Sequence, residues 1–298
     1  MSQVSPFPSI FIIGAQRCAT SSLYGHLANH PEIYMSEIKE PRYFSHINRP
    51  PNFKGPGDAD RVNKATIGDE KRYLELFTAA KPKQLCGEAT TTYFGDSHAL
   101  TLISEWVEHP KIIIMLRNPL ERALSCYHYK RNQGLEPADS FEEALNDEKR
   151  RIKENWAPIW HYATRSKYFT PTQEAFSIFG ISDVMVIRYE SFVSDPAKEL
   201  NRLVDFLALK QPFSMSRFIH YNDSGSLAPK SRLNKVFKRT KSAVFNLLNV
   251  SSNFPTKRTC STKDITQNTA IKLQSEFRDD VLKLEKLLHW DLSDWMAH

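Results

Sequence analysis

A glycine turn near the start of the chain is the first feature that predicts chemistry. Residues 14–22 read GAQRCATSS, and they combine small residues and hydroxyls with one cation, Arg17. An apolar run over residues 9–13 precedes the turn, and apolar residues at helical spacing follow it. A loop that joins a strand to a helix offers backbone N–H groups and the positive end of the helix dipole to an anion. The segment is therefore a candidate anion site.

The elements that must position this loop alternate along the chain. Continuous apolar runs predict buried strands over residues 9–13, 111–116 and 183–188. The predicted helices cover residues 20–27, 69–79, 120–130, 140–155, 171–179, 196–207 and 264–288. Strands that alternate with helices favour a parallel sheet with right-handed crossovers, so the predicted fold class is α/β.

The composition is that of an ordinary globular protein. The chain has 298 residues, of which 41% are hydrophobic and 25% charged, so the sequence predicts neither disorder nor a fibrous repeat. We expect a single domain over residues 1–298, with irregular loops near 48–68 and 238–261. The four cysteines lack metal-ligand spacing, and no metal is expected. Because no leader or long apolar run is present, the sequence predicts a cytoplasmic protein with no membrane partner.

The charge is basic and unevenly placed. Net charge is +6, which favours anionic partners. Between Asp223 and Asp264 there is no acidic residue, whereas basic residues recur: Lys230, Arg232, Lys235, Lys238, Arg239, Lys241, Lys257, Arg258 and Lys263. This stretch is a candidate clamp for an anion.

The glycine loop departs from the nucleotide-kinase pattern G-x-x-x-x-G-K-[ST]. Ala19 stands where the second glycine is required, and Thr20 stands in place of the lysine. Residues 14–23 instead resemble the 5′-phosphosulfate loop of sulfotransferases that use 3′-phosphoadenosine 5′-phosphosulfate (PAPS). The resemblance implies a P-loop-like three-layer fold with a central parallel sheet flanked by helices. It also implies donor contacts from Gly14, Gln16, Arg17, Cys18, Ala19, Thr20, Ser21 and Ser22, with Arg17 opposing the charge that develops as sulfate transfers.

Three further segments resemble the same family in the expected order. Residues 116–127, LRNPLERALSCY, resemble the 3′-phosphate motif, which implies phosphate contacts from Arg117 and Ser125. Residues 186–192, VIRYESF, resemble a strand and turn that place Tyr189 near the adenine. Residues 227–233, LAPKSRL, are similar to a basic loop that closes over the nucleotide. That last match adds Lys230, Ser231 and Arg232 to the implied donor site.

The base that removes the acceptor proton is also implied by resemblance. Residues 39–44, KEPRYF, resemble the K-E-x-x-[FY]-F segment of heparan-type and bacterial sulfotransferases, whose glutamate is the base. Glu40 takes that role here, and a nearby histidine is the alternative. One departure is Ala89, which stands where heparan-type enzymes carry a lysine. The absence of that lysine leaves Arg17 to stabilise more of the negative charge that develops during transfer.

The same resemblance implies that the acceptor is a small molecule or a carbohydrate with a hydroxyl or amine. Nucleic acid is not an expected partner, and the sequence does not specify the oligomeric state. Aromatic faces and polar tips can hold a sugar, a phenol or a cationic heterocycle. The candidate acceptor-binding residues are Lys39, Tyr43, Tyr93, Trp160, His161 and Tyr168, with His46, His128 and Trp156 as further aromatic or imidazole candidates.

Two other functions compete with this interpretation. A Mg²⁺-dependent phosphotransferase shares the fold class but normally requires a lysine in the loop. A polyanion-binding module would instead use the basic stretch at 226–263, with the α/β domain as its scaffold.

Overall fold

Five parallel strands form a sheet at the centre of the molecule. The structure is a computed structural model that describes residues 7–214 and 265–296. Its strands are Ile10–Gly14 (β1), Ile33–Met35 (β2), Leu85–Ala89 (β3), Lys111–Leu116 (β4) and Val184–Arg188 (β5). Their order across the sheet is β2-β3-β1-β4-β5, and each neighbouring pair is parallel. The predicted α/β fold with a central parallel sheet is therefore confirmed.

Helices connect the strands and cover the sheet. The α-helices of the described residues are Thr20–Ala28 (α1), Tyr43–His46 (α2), Glu70–Glu75 (α3), Ser97–Trp106 (α4), Pro119–Asn132 (α5), Phe141–Asn146 (α6), Glu148–Lys153 (α7), Phe169–Phe179 (α8), Tyr189–Ser194 (α9), Pro196–Phe206 (α10), Gln267–Leu288 (α11) and Ser293–Met296 (α12). A π-helical turn, Ala59–Asn63, lies between α2 and α3. The loop predicted near 238–261 falls outside the described residues.

The burial of the strand residues explains why three of the five strands could be predicted. All five residues of β1 are buried, and so are the last five residues of β4. Strands covered on both faces must be apolar at every position, which the sequence displays as continuous apolar runs. Strand β2 has only three residues and β3 contains Gly87 and Glu88. Neither strand shows such a run, and neither was predicted.

Helix boundaries follow local capping. The predicted helix 140–155 is divided into α6 and α7, which meet at Asp147. Ser140 begins α6 by accepting a hydrogen bond from the Glu143 N–H. In α5, Asn118 is the N-cap and accepts from the N–H groups of Leu120 and Glu121.

The turn after β1 requires glycine for a steric reason. A Cβ added to Gly14 would lie 2.5 Å from the Cβ of Phe94, closer than side chains approach. The last residue of β1 therefore packs directly against the segment that follows β3. In residues 7–214 and 265–296, no helix is long and apolar enough to cross a bilayer.

Candidate active site

The site lies at the carboxyl edge of the sheet. Because the strands are parallel, the segments that follow them emerge on the same side, where α/β proteins usually bind ligands. The functional side chains on these segments are Arg17 after β1, Glu40 after β2, Thr91 after β3, Arg117 after β4 and Tyr189 after β5. Residues distant in sequence are thereby brought to one edge.

The loop after β1 adopts left-handed backbone at two positions. Arg17 has φ 67° and Ala19 has φ 62°, a conformation that costs a non-glycine residue about 1 kcal/mol or more. Ala19 is also the N-cap of α1, and no side chain caps this helix. The first N–H groups of a helix lack intrahelical acceptors, which makes the start of a helix a favourable position for an anion.

Arg17 is held by helix α5. Its Nε donates to the Ser125 Oγ at 3.2 Å, and its guanidinium carbon lies 4.5 Å from the centre of the Tyr129 ring. Since α5 begins directly after β4, the loop after β1 and the helix after β4 share this cation. These two contacts hold the Arg17 guanidinium between the loop after β1 and α5.

Arg117 occupies a second cationic position at the end of β4. The residue is 8% exposed. Its guanidinium donates to Glu121 Oε2 at 2.8 and 3.1 Å and lies 4.4 Å above the ring of Tyr189. The neighbouring Asn118 N–H donates to Glu190 Oε1 at 2.9 Å, which ties the ends of β4 and β5 together. Burial raises the pKa of the Tyr189 hydroxyl, so the ring stays neutral beside the arginine.

Lys39 supplies an ammonium group to the first loop from outside it. Its Nζ donates to the Ser21 Oγ at 2.8 Å and lies 3.4 Å from the Thr20 Oγ1. Burial lowers the pKa of this ammonium. The sequence predicted Lys39 as an acceptor contact, but the structure places it against the start of α1. The lysine missing from the kinase pattern is thus replaced in space by one that follows β2.

Glu40 lies beside Thr91, which follows β3. The carboxylate accepts from the Thr91 N–H at 3.1 Å and from the Thr91 Oγ1 at 2.7 Å. The Arg42 guanidinium is 3.8 Å from Oε2 of the same carboxylate, and the Glu40 side chain is 20% exposed. The carboxylate is therefore oriented and still accessible.

A buried carboxyl group behind Glu40 was not identified from the sequence. Glu88 is fully buried and accepts from the hydroxyls of Tyr73, Thr90 and Tyr93 at 2.7, 2.6 and 3.1 Å. Burial raises its pKa to about 7. Glu88 shares a segment with the family resemblance, but nothing in the sequence shows which hydroxyls surround it.

The hydroxyls that donate to Glu88 also hold the segment that carries Glu40. The Thr90 Oγ1 accepts from the Arg42 N–H at 3.2 Å, and the Tyr93 hydroxyl accepts from the Phe44 N–H at 3.1 Å. The backbone N–H of Glu40 donates to the Ala89 carbonyl at 2.8 Å. The backbone from residue 40 to residue 44 is thus bound at three points to the segment after β3.

A cavity of about 430 Å³ opens beside Arg42, whose guanidinium lies 3.8 Å from the Glu40 carboxylate. Gln16 and Arg42 line one part of it, and Tyr129 and Lys130 of α5 line another. None of the six predicted acceptor-binding side chains lines this cavity. Four of the six are aromatic residues buried in the core: Tyr43, Tyr93, Trp160 and Tyr168. These four aromatic candidates are therefore core residues.

The remaining residues that were predicted to bind the donor differ in their surroundings. Cys18 is buried, and burial raises the pKa of its thiol to about 12, so it stays protonated. Ser22 is buried in α1. Lys230, Ser231 and Arg232 lie outside the described residues.

The fold and this edge define a P-loop-like α/β protein in which two arginines and a carboxylate meet at the strand ends. A family model described as "Sulfotransferase domain" matches residues 7–279. The chain therefore belongs to the sulfotransferase family.

Relatives and solved structures agree with this membership. A crystal structure of a sulfotransferase from Alicyclobacillus acidocaldarius is 30% identical, covers 98% of this chain and 99% of that chain, and has a TM-score of 0.75. Membrane-associated sulfotransferase kil1 of Dictyostelium discoideum is 23% identical over 81% of this chain and 65% of its own length. Heparan sulfate glucosamine 3-O-sulfotransferase 3B1 of Mus musculus is 26% identical over 73% of this chain and 50% of its own length. The chain thus spans between half and two thirds of these two curated relatives.

Proposed function

We propose that this protein transfers a sulfuryl group from PAPS to a hydroxyl or amine of a small molecule or carbohydrate. The observation that carries the proposal is the contact between Arg17 Nε and Ser125 Oγ at 3.2 Å. It joins the loop after β1 to the helix that begins beside Arg117. A nucleotide with phosphates at both the 5′ and 3′ positions requires two cationic positions on one connected surface, and this contact connects them.

The donor is positioned by both arginines in this proposal. The loop after β1 and the start of α1 receive the 5′-phosphosulfate, with Lys39 and Arg17 beside it. Arg117 receives the 3′-phosphate, because a guanidinium offers a planar set of donors to phosphate oxygens. Tyr189, whose ring already lies against Arg117, borders the adenine.

The transfer is an in-line displacement. The acceptor oxygen or nitrogen forms a bond to sulfur while the bond from sulfur to the bridging 5′-phosphate oxygen breaks. The electron pair of that bond stays on the phosphate of adenosine 3′,5′-bisphosphate, where Arg17 opposes its charge. Glu40 takes the proton from the acceptor, and Thr91 fixes the direction in which the carboxylate points.

Ligand binding separates this proposal from a phosphotransferase. A ligand that binds only the folded state raises the melting temperature. Adenosine 3′,5′-bisphosphate without Mg²⁺ is expected to stabilise the protein, and Mg-ATP is expected to have little effect. Stabilisation by Mg-ATP alone would overturn the proposal.

Substitutions test the two catalytic roles in an assay with labelled PAPS and a panel of hydroxyl and amine acceptors. Removing a general base typically costs about 10²- to 10⁴-fold in rate, so Glu40→Gln should lose transfer while retaining bisphosphate binding. Arg17→Ala should lose about 10²- to 10³-fold, the usual cost of removing one group that stabilises transition-state charge. Glu37→Gln is the matched control, since Glu37 is exposed three residues away. Full activity in Glu40→Gln would remove Glu40 from the base role.

A further inference from the structure

The charged groups around the cavity that Arg42 links to Glu40 are unbalanced. Arg42, Arg61, Lys130 and Arg165 line it, whereas Asp96 is the one carboxylate among its described lining residues. The cations come from four different segments of the chain, so they do not form one solvated helix face. A cluster of like charges around a cavity is unfavourable unless an anion shares the space.

Lys130 is the most deeply buried of these four cations. The residue is 3% exposed, and its Nζ lies 4.1 Å from the centre of the Trp160 ring. Within residues 7–214 and 265–296, no carboxylate lies within ion-pair distance of this ammonium. A buried charge without a paired anion is costly, which gives the site a strong preference for a ligand that supplies one. Burial lowers the pKa of Lys130 to about 8, in keeping with that cost.

Hydrogen bonds to Asp58 fix the Trp160 ring that contacts Lys130. The indole N–H of Trp160 donates to Asp58 Oδ1 at 3.0 Å, and Asp58 Oδ2 accepts from the N–H groups of Gly55 and Ala157. Asp58 is thereby occupied by three donors in orienting the ring beneath the ammonium. The ring and not the carboxylate contacts Lys130, so Asp58 attracts the ammonium only from beyond ion-pair distance, and Lys130 lines the cavity.

Arg165 is a second, half-buried cation in the same cavity. Its guanidinium donates to the carbonyl groups of Gly95 and Thr92 at 3.4 and 3.3 Å, which are long bonds to neutral acceptors. Its charge is not neutralised by either bond. Burial lowers the pKa of Arg165 to about 10, which leaves it charged at neutral pH.

Several buried polar atoms of the same lining lack a partner. They are Gln16 Oε1, Arg42 Nε, Ser45 Oγ, Thr92 Oγ1 and Gln133 Oε1. Buried polar groups are nearly always hydrogen-bonded, so a cluster of unpaired donors and acceptors indicates a polar ligand. The hydrogen-bond acceptors Gln16 Oε1 and Gln133 Oε1 require hydroxyl or amine groups on that ligand as hydrogen-bond donors.

We infer that the acceptor is a compact, hydroxyl-bearing anion whose negative group binds at Lys130 and Arg165 while a hydroxyl faces Glu40. This inference rests on the proposed function and specifies its substrate class. A cavity of about 430 Å³ suits a molecule of the size of one sugar or one aromatic ring with a side chain. Carboxylate and phosphate are both negative groups that the cations would bind.

Matched acceptor pairs test the inference in the full-length protein. Methyl β-D-glucuronide is compared with methyl β-D-glucoside, 4-hydroxyphenylacetate with 4-hydroxyphenethyl alcohol, and glucose 6-phosphate with glucose. Hydrogen bonds to charged groups correspond to about 10- to 100-fold in binding, so the anionic member should have the higher kcat/KM by at least about tenfold. The carboxylate and phosphate pairs show which anion the site prefers. Equal use of charged and neutral members would overturn the inference.

Variants assign the preference to the cavity. Lys130→Met keeps the length of the side chain and removes the charge, and it should reduce the anion preference at least about fivefold. Lys130→Arg should retain most of it, and Lys71→Met, at an exposed lysine of α3, should change nothing. Arg61→Gln tests the exposed rim and should reduce the preference by about twofold, so the inference stays testable if Lys130→Met fails to fold. An undiminished preference in Lys130→Met and Arg61→Gln would overturn it.

A binding measurement keeps this inference separate from the proposed function. Affinity for adenosine 3′,5′-bisphosphate, measured by calorimetry, should be equal in wild type and Lys130→Met. If no variant binds the bisphosphate or transfers sulfate, the proposed function fails. Thermal shift with methyl β-D-glucuronide would then decide the inference: stabilisation of wild type but not of Lys130→Met supports an anion site, and none in either protein refutes it.

Discussion

Glu40 and Thr91 are joined by two kinds of hydrogen bond, one from the Thr91 N–H at 3.1 Å and one from its hydroxyl at 2.7 Å. The two residues are distant in sequence and meet because β2 and β3 are neighbours in the sheet. Thr91 is 4% exposed. A threonine at the end of one strand thus sets the direction of a carboxylate at the end of the next.

Thr91→Val should reduce transfer without affecting donor binding. Valine keeps the shape of threonine and the backbone N–H, so the loss is confined to the 2.7 Å bond that orients Glu40. We expect kcat to fall about tenfold, the effect of losing about 1.4 kcal/mol of orientation, with unchanged affinity for adenosine 3′,5′-bisphosphate. Thr101→Val is the control, because the Thr101 hydroxyl bonds only to a carbonyl of its own exposed helix. Wild-type kcat in Thr91→Val would show that the hydroxyl has no orienting role.

Arg117→Ala should abolish the distinction between ligands with and without a 3′-phosphate. We expect wild type to bind adenosine 3′,5′-bisphosphate about 10- to 100-fold more tightly than adenosine 5′-monophosphate, since charge-assisted bonds to one phosphate are worth that much. In Arg117→Ala the two affinities should agree within about threefold. Calorimetry on both ligands measures the ratio, and Arg72→Ala, an exposed arginine on α3, is the control. A ratio that survives in Arg117→Ala would place the 3′-phosphate elsewhere.

The two cationic positions of the proposed donor site could be placed at one sheet edge from the sequence, because their signals are local. The loop after β1 and the arginine after β4 each follow a strand whose apolar run is continuous, so the sequence shows both the strand and its end. Residues Arg17 and Arg117 are brought to one edge by the parallel order β1-β4 alone. Lys39 was assigned to the acceptor because its contact with Ser21 depends on how the segment after β2 folds back.

The acceptor half could not be predicted, because packing decides which aromatic faces remain open. Tyr43 was a reasonable acceptor contact in sequence, but its ring stacks on Tyr73 with centroids 4.2 Å apart. The positions that do line the cavity come from several segments, among them Lys130 in the last turn of α5 and Gln133 just after it, which the sequence does not distinguish from a solvated surface. The Glu88 network was missed for the same reason, since its hydroxyls come from separate segments.

Replacement of Glu88 should change how stability depends on pH. The pKa of Glu88 is about 7 in the folded protein and near 4.5 when the chain is unfolded. The folded state therefore binds this proton more tightly, and the stability it contributes is fully present below pH 4.5 and lost as pH rises through about 7. The corresponding loss in the free energy of unfolding is about 3 kcal/mol, an upper value since other groups titrate as well.

Glu88→Gln removes this titration because an amide is neutral throughout. Urea unfolding at pH 5 and pH 8 should show a smaller difference in the free energy of unfolding for Glu88→Gln than for wild type. The variant is expected to be less stable overall, since an amide satisfies the three hydroxyls less well than a carboxyl. Glu75→Gln, at an exposed position of α3, should keep the wild-type difference. An equal pH dependence in Glu88→Gln would mean that Glu88 does not titrate between these values.

The charge state of Lys130 should appear in the pH dependence of catalysis with an anionic acceptor. Burial lowers the Lys130 pKa to about 8; Arg61 lowers it further, while Asp58, Cys126 and Glu136 oppose the shift. Above that pH the ammonium loses its proton and its attraction for the acceptor. Since kcat/KM reports the free enzyme, kcat/KM for methyl β-D-glucuronide should fall by up to about fivefold between pH 8 and pH 9.

Two comparisons assign this fall to Lys130. Methyl β-D-glucoside carries no charge, so any fall in its kcat/KM over the same range belongs to other groups and is subtracted. Lys130→Arg keeps its charge throughout, because a guanidinium does not titrate in this range, and its profile with the glucuronide should remain flat. A fall of the same size in Lys130→Arg, or with the glucoside in wild type, would assign the titration to a different group and leave Lys130 without the role in acceptor binding.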